Sequence, residues 1–279
     1  MIVTDKEYFL ENKLLEKLDL MVKRLGGTDD CVVTIDGDEG MGKTNIASAI
    51  CYYIAYNTKR VYNVDNIFFD LDKLINYASK TKEQIIHWDE AALGGLSTQW
   101  WKQNQGKFMQ LLMIARKKKH FIVMCIPKFN YLREYFFVDR SIALIHVYAR
   151  QNLHKGRFFY FTKRKKEALF EYWKRRRVRL YIKFKSFGGT FPKAMEKIFS
   201  PEELAKYEGK KDYAIISLAA PEKVDKNLQR LKELELKMYT LPGITQKKMA
   251  EHFGIREDSM SKRKIRLQNE LNKIPIPID

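Results

Sequence analysis

The chain is predicted to be an α/β protein, a parallel sheet flanked by helices, with a small all-α unit at its carboxyl end. Three observations carry this. The apolar run Cys31-Val32-Val33-Thr34-Ile35 passes through a glycine-rich loop, Gly37 to Thr44, into a helical stretch from Asn45 to Ala55. A second apolar run, Gln84-Ile85-Ile86-His87-Trp88, ends in two carboxylates, Asp89-Glu90. Residues 245–267, TQKKMAEHFGIREDSMSKRKIRL, hold two short helical patterns on either side of Gly254. Continuous rather than alternating apolar runs are the mark of strands buried on both faces, as in a parallel sheet.

Taken in order, residues 5–25 place Phe9, Leu10, Leu14, Leu15, Leu18, Met21, Val22 and Leu25 at helical spacing, and Gly26-Gly27 stops the helix. Ile67-Phe68-Phe69 supplies one extra strand in the stretch separating the two runs above. Ile142 to Tyr148 and Arg157 to Phe161, split by Lys155-Gly156, read as a hairpin, and Lys165 to Arg176 as a helix. The alternation of Val178, Leu180, Ile182 and Phe184 with Arg179, Tyr181, Lys183 and Lys185 predicts a strand with one apolar and one largely basic face. Ser200-Pro201-Glu202-Glu203 is a capped helix start. A linker is expected at 209–222 and a charged helix from Lys223 to Met238. The domains are then 1–208, including a basic β/α extension over 150–193, and 223–279.

The loop GDEGMGKT is a glycine, four free positions and Gly-Lys-Thr, set between a strand and a helix as a phosphate-binding loop requires. Gly37, Asp38, Glu39, Gly40, Met41, Gly42, Lys43, Thr44 and Asn45 would wrap the phosphates of ATP with inward N–H groups at a helix's positive end. Lys43 would reach the β and γ phosphates, and Thr44 would place its hydroxyl on Mg²⁺. Asp89, at the carboxyl end of its strand, would also hold Mg²⁺ through oxygen. Glu90 is the candidate base for the attacking water. The other reading of Asp89-Glu90 is a cap for the following helix.

These motifs and the inserted strand resemble the branch of P-loop ATPases that carries a catalytic glutamate beside the magnesium aspartate. Within it, the stretch Leu111 to Pro127, LLMIARKKKHFIVMCIP, resembles the FtsK–HerA group of DNA-pumping motors, and most of all the zonular occludens toxin-like proteins of phages and archaeal viruses. The resemblance spans residues 28 to 150. It implies a homo-oligomer, a hexameric ring, in which Arg116 acts as an arginine finger on a neighbour's phosphate, with Arg140 and Arg133 behind it. The other reading of Arg116 is one member of a basic, solvated or DNA-facing patch. Where such motors end the next strand in a Gln or Asn sensor, this one ends Cys125-Ile126-Pro127, with Asn130 three residues on.

The totals fit a polyanionic partner: 279 residues carry 52 Lys or Arg against 34 Asp or Glu, a net charge of +18. Residues 150–193 alone hold fifteen basic residues and two acids, Glu167 and Glu171. Arg175, Arg176, Arg177, Lys183 and Lys185 are expected to meet DNA phosphates, and the aromatic residues Phe158 to Phe161, Tyr172 and Trp173 either pack or stack on bases. Trp100-Trp101 carries the same pair of readings. Residues 245–267 resemble a helix-turn-helix, with Met249, Ala250, Phe253, Ile255 and Met260 inward. Ser259, Ser261, Lys262, Arg263 and Arg266 would face double-stranded DNA. A protein-binding helical hairpin is the alternative.

Cys31, Cys51 and Cys125 have no metal-ligand spacing and suit reduced core thiols. With no leader pattern and no apolar run of spanning length, the expected location is cytoplasmic, a host's cytoplasm if the protein is viral. The leading expectation is a DNA-translocating, packaging or segregation ATPase of a virus or mobile element. The alternative is an ATP-switched DNA-binding regulator or a replication or transposition helper. A small-molecule kinase leaves the basic excess unexplained.

Overall fold

Apolar runs become the centre of a seven-stranded sheet. Cys31–Asp36 (β1), Ile67–Phe68 (β2), Ile85–Asp89 (β3), Phe121–Ile126 (β4) and Ala143–Tyr148 (β5) lie parallel, and Arg157–Thr162 (β6) and Phe187–Thr190 (β7) extend the sheet antiparallel, in the order β2-β3-β4-β1-β5-β6-β7. β1, β3 and β4 are buried at every position, as both-face coverage demands. The computed structural model describes residues 5–27, 29–89, 104–149, 156–219, 234–239, 245–254 and 256–271. It divides into two compact units, Met1–Leu218 and Ala219–Asp279.

Alternate side chains of the strands feed two cores. Val33, Ile35, Val123 and Cys125 pack under Asn12–Leu25 (α1) and Lys43–Thr58 (α2), joined there by residues of the later helices. Val32, Ile122, Met124 and Ile126 pack on the other face, against Leu71–Lys80 (α3), Gln105–Lys118 (α4), the π-helical turn Tyr135–Arg140 and Lys163–Arg176 (α5). α1 buries Leu14, Leu15, Leu18, Met21 and Leu25, one stripe at helical spacing. It begins at Asn12, not at residue 5, and Phe9, expected inward, is exposed. The residues before it are pinned instead by Tyr8, whose hydroxyl donates to Ala49 O at 2.7 Å.

The expected extra strand forms, but at the sheet's edge. The strand that stands between β1 and β3 in space is β4, contributed by the stretch after Arg116. This arrangement is a mostly parallel, helix-flanked α/β sheet compatible with a P-loop-like fold.

Two expectations are corrected. Residues 178–184 form no strand: Tyr181–Phe184 is a single helical turn (α6), and Val178 and Ile182, assigned to the apolar face, are 49% and 67% exposed. The reason is Tyr181, whose hydroxyl donates to buried Asp36 at 2.6 Å and whose ring stacks on His146 at 3.5 Å between centroids. One tertiary anchor outweighs a period-two pattern. Likewise, no linker begins at 209. After the short helix Met195–Ile198 (α7), Pro201–Ala219 (α8) runs unbroken, opened by the expected capping box between Ser200 and Glu203. α8 is held by the salt bridge of Lys206 to Asp65 and by Lys210, whose ammonium donates to the carbonyls of Val64 and Ile67 at 2.8 and 2.7 Å.

In the smaller unit, Gln246–Phe253 (α9) and Glu257–Leu271 (α10) pack through Met249, Ala250 and Met260. Thr245 caps α9, and Gly254, at φ 64°, ends it in the left-handed conformation that a glycine adopts without strain. Residues 234–238 are helical, whereas most of the expected Lys223–Met238 helix lies outside the described residues. No helix among the described residues is long and apolar enough to cross a membrane.

Candidate functional site

The loop after β1 takes a backbone that favours glycine at three positions. Gly37, Gly40 and Gly42 sit at φ 148°, 71° and 95°, and a Cβ on Gly37 would lie 2.4 Å from the Val147 carbonyl oxygen. Gly42 is the N-cap of α2, so the first N–H groups of that helix face the loop's interior. Lys43 is buried, and its ammonium donates to the carbonyls of Gly37 and Asp38 at 2.6 and 2.9 Å. Asp38, Glu39 and Gly40 are exposed at the tip. Met41 packs against the core, and the Asn45 side chain accepts from Met195 N at 3.2 Å, so it braces the loop from outside.

β3 brings the second motif to the same edge. Thr44 Oγ1 donates to Asp89 Oδ2 at 2.8 Å, joining two residues 45 positions apart. Both offer hard oxygen atoms, the donor set Mg²⁺ takes, and a hydroxyl that gives its proton to the carboxylate turns its lone pairs outward. The residues present therefore fit the cation. Glu90, the expected base, and Trp100-Trp101 lie outside the described residues.

A second hydroxyl on Asp89 escaped the sequence. Tyr207, on α8, is buried and donates its phenolic proton to the same Asp89 Oδ2 at 3.0 Å. Nothing in the sequence marks it: it stands 118 residues from its partner in an ordinary helical pattern.

Beneath Asp89 lies a buried polar row. His87 Nδ1 is 2.9 Å from the Tyr62 hydroxyl, and His87 Nε2 is 3.5 Å from Cys125 Sγ. Burial pushes the His87 pKa down to about 4 despite the opposing pull of Asp89, so the ring is neutral near pH 7. Cys125, which stands where a polar sensor was expected, is directly opposite Asp89 in the β3–β4 register. Asn130 Oδ1 is buried without a hydrogen-bond partner among the described residues.

The start of the loop is clamped separately. Asp36, the last residue of β1, accepts from Tyr181 OH at 2.6 Å and Phe129 N at 3.1 Å, and pairs with His146 Nδ1 at 2.9 Å. None of these three partners was singled out from the sequence for that role.

The expected finger is not brought to the site. Arg116 is exposed in the last turn of α4, which leads through Lys119 to the beginning of β4, the sheet edge opposite the loop. Arg140, behind it in the expectation, is committed to a 2.7 Å salt bridge with Asp30 and to the Leu112 carbonyl. A single chain cannot bring either guanidinium to its own loop.

The basic segment proves to be a cationic crust on an aromatic core. Phe158, Phe159, Tyr160 and Phe161 are buried, and the half-buried rings lie under cations: Arg177 over Trp173 at 5.1 Å, Lys183 over Tyr172 at 5.4 Å. Lys185 sits 4.4 Å over Phe159. In the fold these rings are packed against the core or against cations. Arg175, Arg176, Arg177 and Lys183 are exposed and Lys185 half-buried. Lys166 is an exception to the surface assignment, being buried with its ammonium on the carbonyls of Phe137, Val138 and Ser141.

In the smaller unit Ser259, Lys262, Arg263 and Arg266 line one side of α10 and are exposed, and Arg263 is paired with Glu235. The side chains of Phe253 and Ser261, and residue Ile255, lie outside the description.

No protein-family model matches the chain, and no curated protein matches it in sequence. The class that fold and geometry define is thus a helix-flanked, mostly parallel α/β protein with a glycine loop and a hydroxyl–carboxylate pair at the carboxyl ends of its central strands.

Proposed function

We propose that the protein is an ATP-hydrolysing, DNA-binding protein that couples turnover to moving DNA, as a packaging or segregation ATPase of a virus or mobile element. The observation that carries the reading is the 2.8 Å contact of Thr44 with Asp89 at the mouth of a loop whose three glycines hold positive φ. The loop's amides and Lys43 would hold the phosphates of ATP, and Thr44 and Asp89 would hold Mg²⁺. When bound, Mg²⁺ supplies neutralisation of charge on the phosphoryl oxygens. Glu90, adjacent to Asp89, would take the proton of the attacking water.

Arg116 contributes in this reading only from a second subunit of a ring. The exposed Arg175, Arg176, Arg177 and Lys183 would meet DNA phosphates, and α9 and α10 would act as a helix-turn-helix. The test is ATP turnover with and without duplex DNA in the wild type and Glu90→Gln. Stimulation by DNA, lost in the variant, is expected; no stimulation and no loss would sink the reading.

A second reading, an ATP-switched DNA-binding regulator, is favoured by the cationic side of α10. Deleting residues after 220 separates the two: a regulator loses site-specific binding altogether, whereas a motor keeps nonspecific binding through residues 150–193.

A further inference from the structure

After β7 the chain crosses the glycine loop and touches it at successive points. The Phe191 ring stands 3.1 Å from where a Cβ on Gly42 would lie, and Met195 N donates to Asn45 at 3.2 Å. The third contact, Tyr207 on Asp89, differs in kind, because it reaches the carboxylate rather than the loop's scaffold.

The Asp89 carboxylate is buried, and its Oδ2 accepts two hydroxyl protons, one from Thr44 at the start of α2 and one from α8. Two donors from different elements fix its rotation as one could not. Packing does not account for the phenol: the ring rests on Phe69, 5.7 Å between centroids, and a phenylalanine would fill that volume without a hydroxyl to desolvate. The helix carrying it is also stiffly placed. Lys206 and Lys210, on either side of Tyr207, tie α8 to Asp65, Val64 and Ile67 at the β2 edge.

We propose that Tyr207 is a positioning residue for the metal-binding carboxylate, and that through it α8 is coupled to occupancy of the nucleotide site. This rests on the nucleotide-site reading above. Metal binding at Asp89 then alters the hydrogen bond that docks α8, and by reciprocity anything that moves α8 changes metal affinity by the same factor. α8 is the element that leads into the smaller unit, which begins at Ala219.

The test uses the full chain and equilibrium binding of a fluorescent ATP analogue, with and without Mg²⁺, in the wild type and Tyr207→Phe. Hydrogen exchange over residues 201–219 of the wild type is followed in parallel. The expected result is that the variant loses roughly tenfold in the Mg²⁺-dependent part of the affinity, about the worth of one charge-assisted hydrogen bond, and keeps its metal-free affinity. Exchange in α8 should change when Mg²⁺ and nucleotide are added together and stay put with nucleotide alone.

Equal Mg²⁺ dependence in the two proteins, or an equal loss with and without the metal, overturns the positioning role. Unaltered exchange overturns the coupling. A wild type that binds nucleotide without any Mg²⁺ dependence brings down the site reading itself, and the inference with it.

Discussion

Gly37, Lys43, Thr44 and Asp89 each have a distinct physical job, and the first two make separate predictions. Gly37→Ala sets a methyl group against the Val147 carbonyl in a backbone conformation alanine resists. It should cost at least 2 kcal/mol in denaturant unfolding, with β5 the first strand to lose protection from hydrogen exchange. Lys43→Ala removes the only ammonium among the described residues that rests on the loop's own carbonyls. Nucleotide affinity should fall by about a hundredfold, and binding within a few-fold of wild type would remove Lys43 from the site. The sequence displayed all four: Gly37, Lys43 and Thr44 belong to one local pattern of eight positions, and Asp89 ends a mostly apolar run. Tyr207, Asp36 and His146 were illegible for the opposite reason: their partners lie far away in sequence, and a tyrosine or histidine in an ordinary run carries no spacing signal.

At the scale of elements, legibility followed burial. β1, β3 and β4 were readable because both faces are covered and the runs are mostly apolar, and α1 because its apolar stripe of four leucines and Met21 keeps helical spacing. Residues 178–184 misled because their alternation is real but two of its apolar members, Val178 and Ile182, face solvent, while Tyr181 is recruited by Asp36. The same packing logic gives Leu18→Ala a cost of about 2–5 kcal/mol, measurable by denaturant unfolding, since Leu18 is wholly buried between α1 and the sheet. His120 makes the fold acid-sensitive. Its Nδ1 accepts from Gln84 N at 3.0 Å, joining the start of β3 to that of β4, and its Nε2 faces the Ala78 carbonyl at 2.9 Å, so protonation breaks the first bond. Burial lowers its pKa below the ordinary 6.5, so the unfolded chain takes up the proton first. Stability should therefore be full above about pH 6.5 and fall below it, by at most about 1.4 kcal/mol per pH unit, until the folded pKa is passed. Unfolding curves at pH 7.5 and 5.5 should show this loss in the wild type and a smaller one in His120→Gln.

The whole molecule combines a glycine loop beside a hydroxyl–carboxylate pair with a strong excess of basic residues. Thirteen of its eighteen surplus charges belong to residues 150–193, yet the structure sorts them: Lys166 serves the core, and Arg175, Arg176, Arg177 and Lys183 remain outside. Changing Arg175, Arg176 and Arg177 to Ala together should weaken duplex binding and reduce the slope of log affinity against log salt by about 2–3, irrespective of DNA sequence. An unchanged slope would remove this face from the DNA interface. Arg116 and Arg140 belong at this scale too, since neither reaches the loop of its own chain and only assembly would give Arg116 a phosphate to meet. The claim on which all of this depends is that Thr44 and Asp89 form half of a hydrolytic site. The most direct measurement is steady-state ATP turnover in Mg²⁺, with and without duplex DNA, for the wild type, Lys43→Ala and Glu90→Gln. Turnover is expected to depend on Mg²⁺, to be stimulated by DNA, and to fall by about a hundredfold or more in both variants. Absence of Mg²⁺-dependent turnover in the wild type, or turnover that survives in both variants, would contradict the claim.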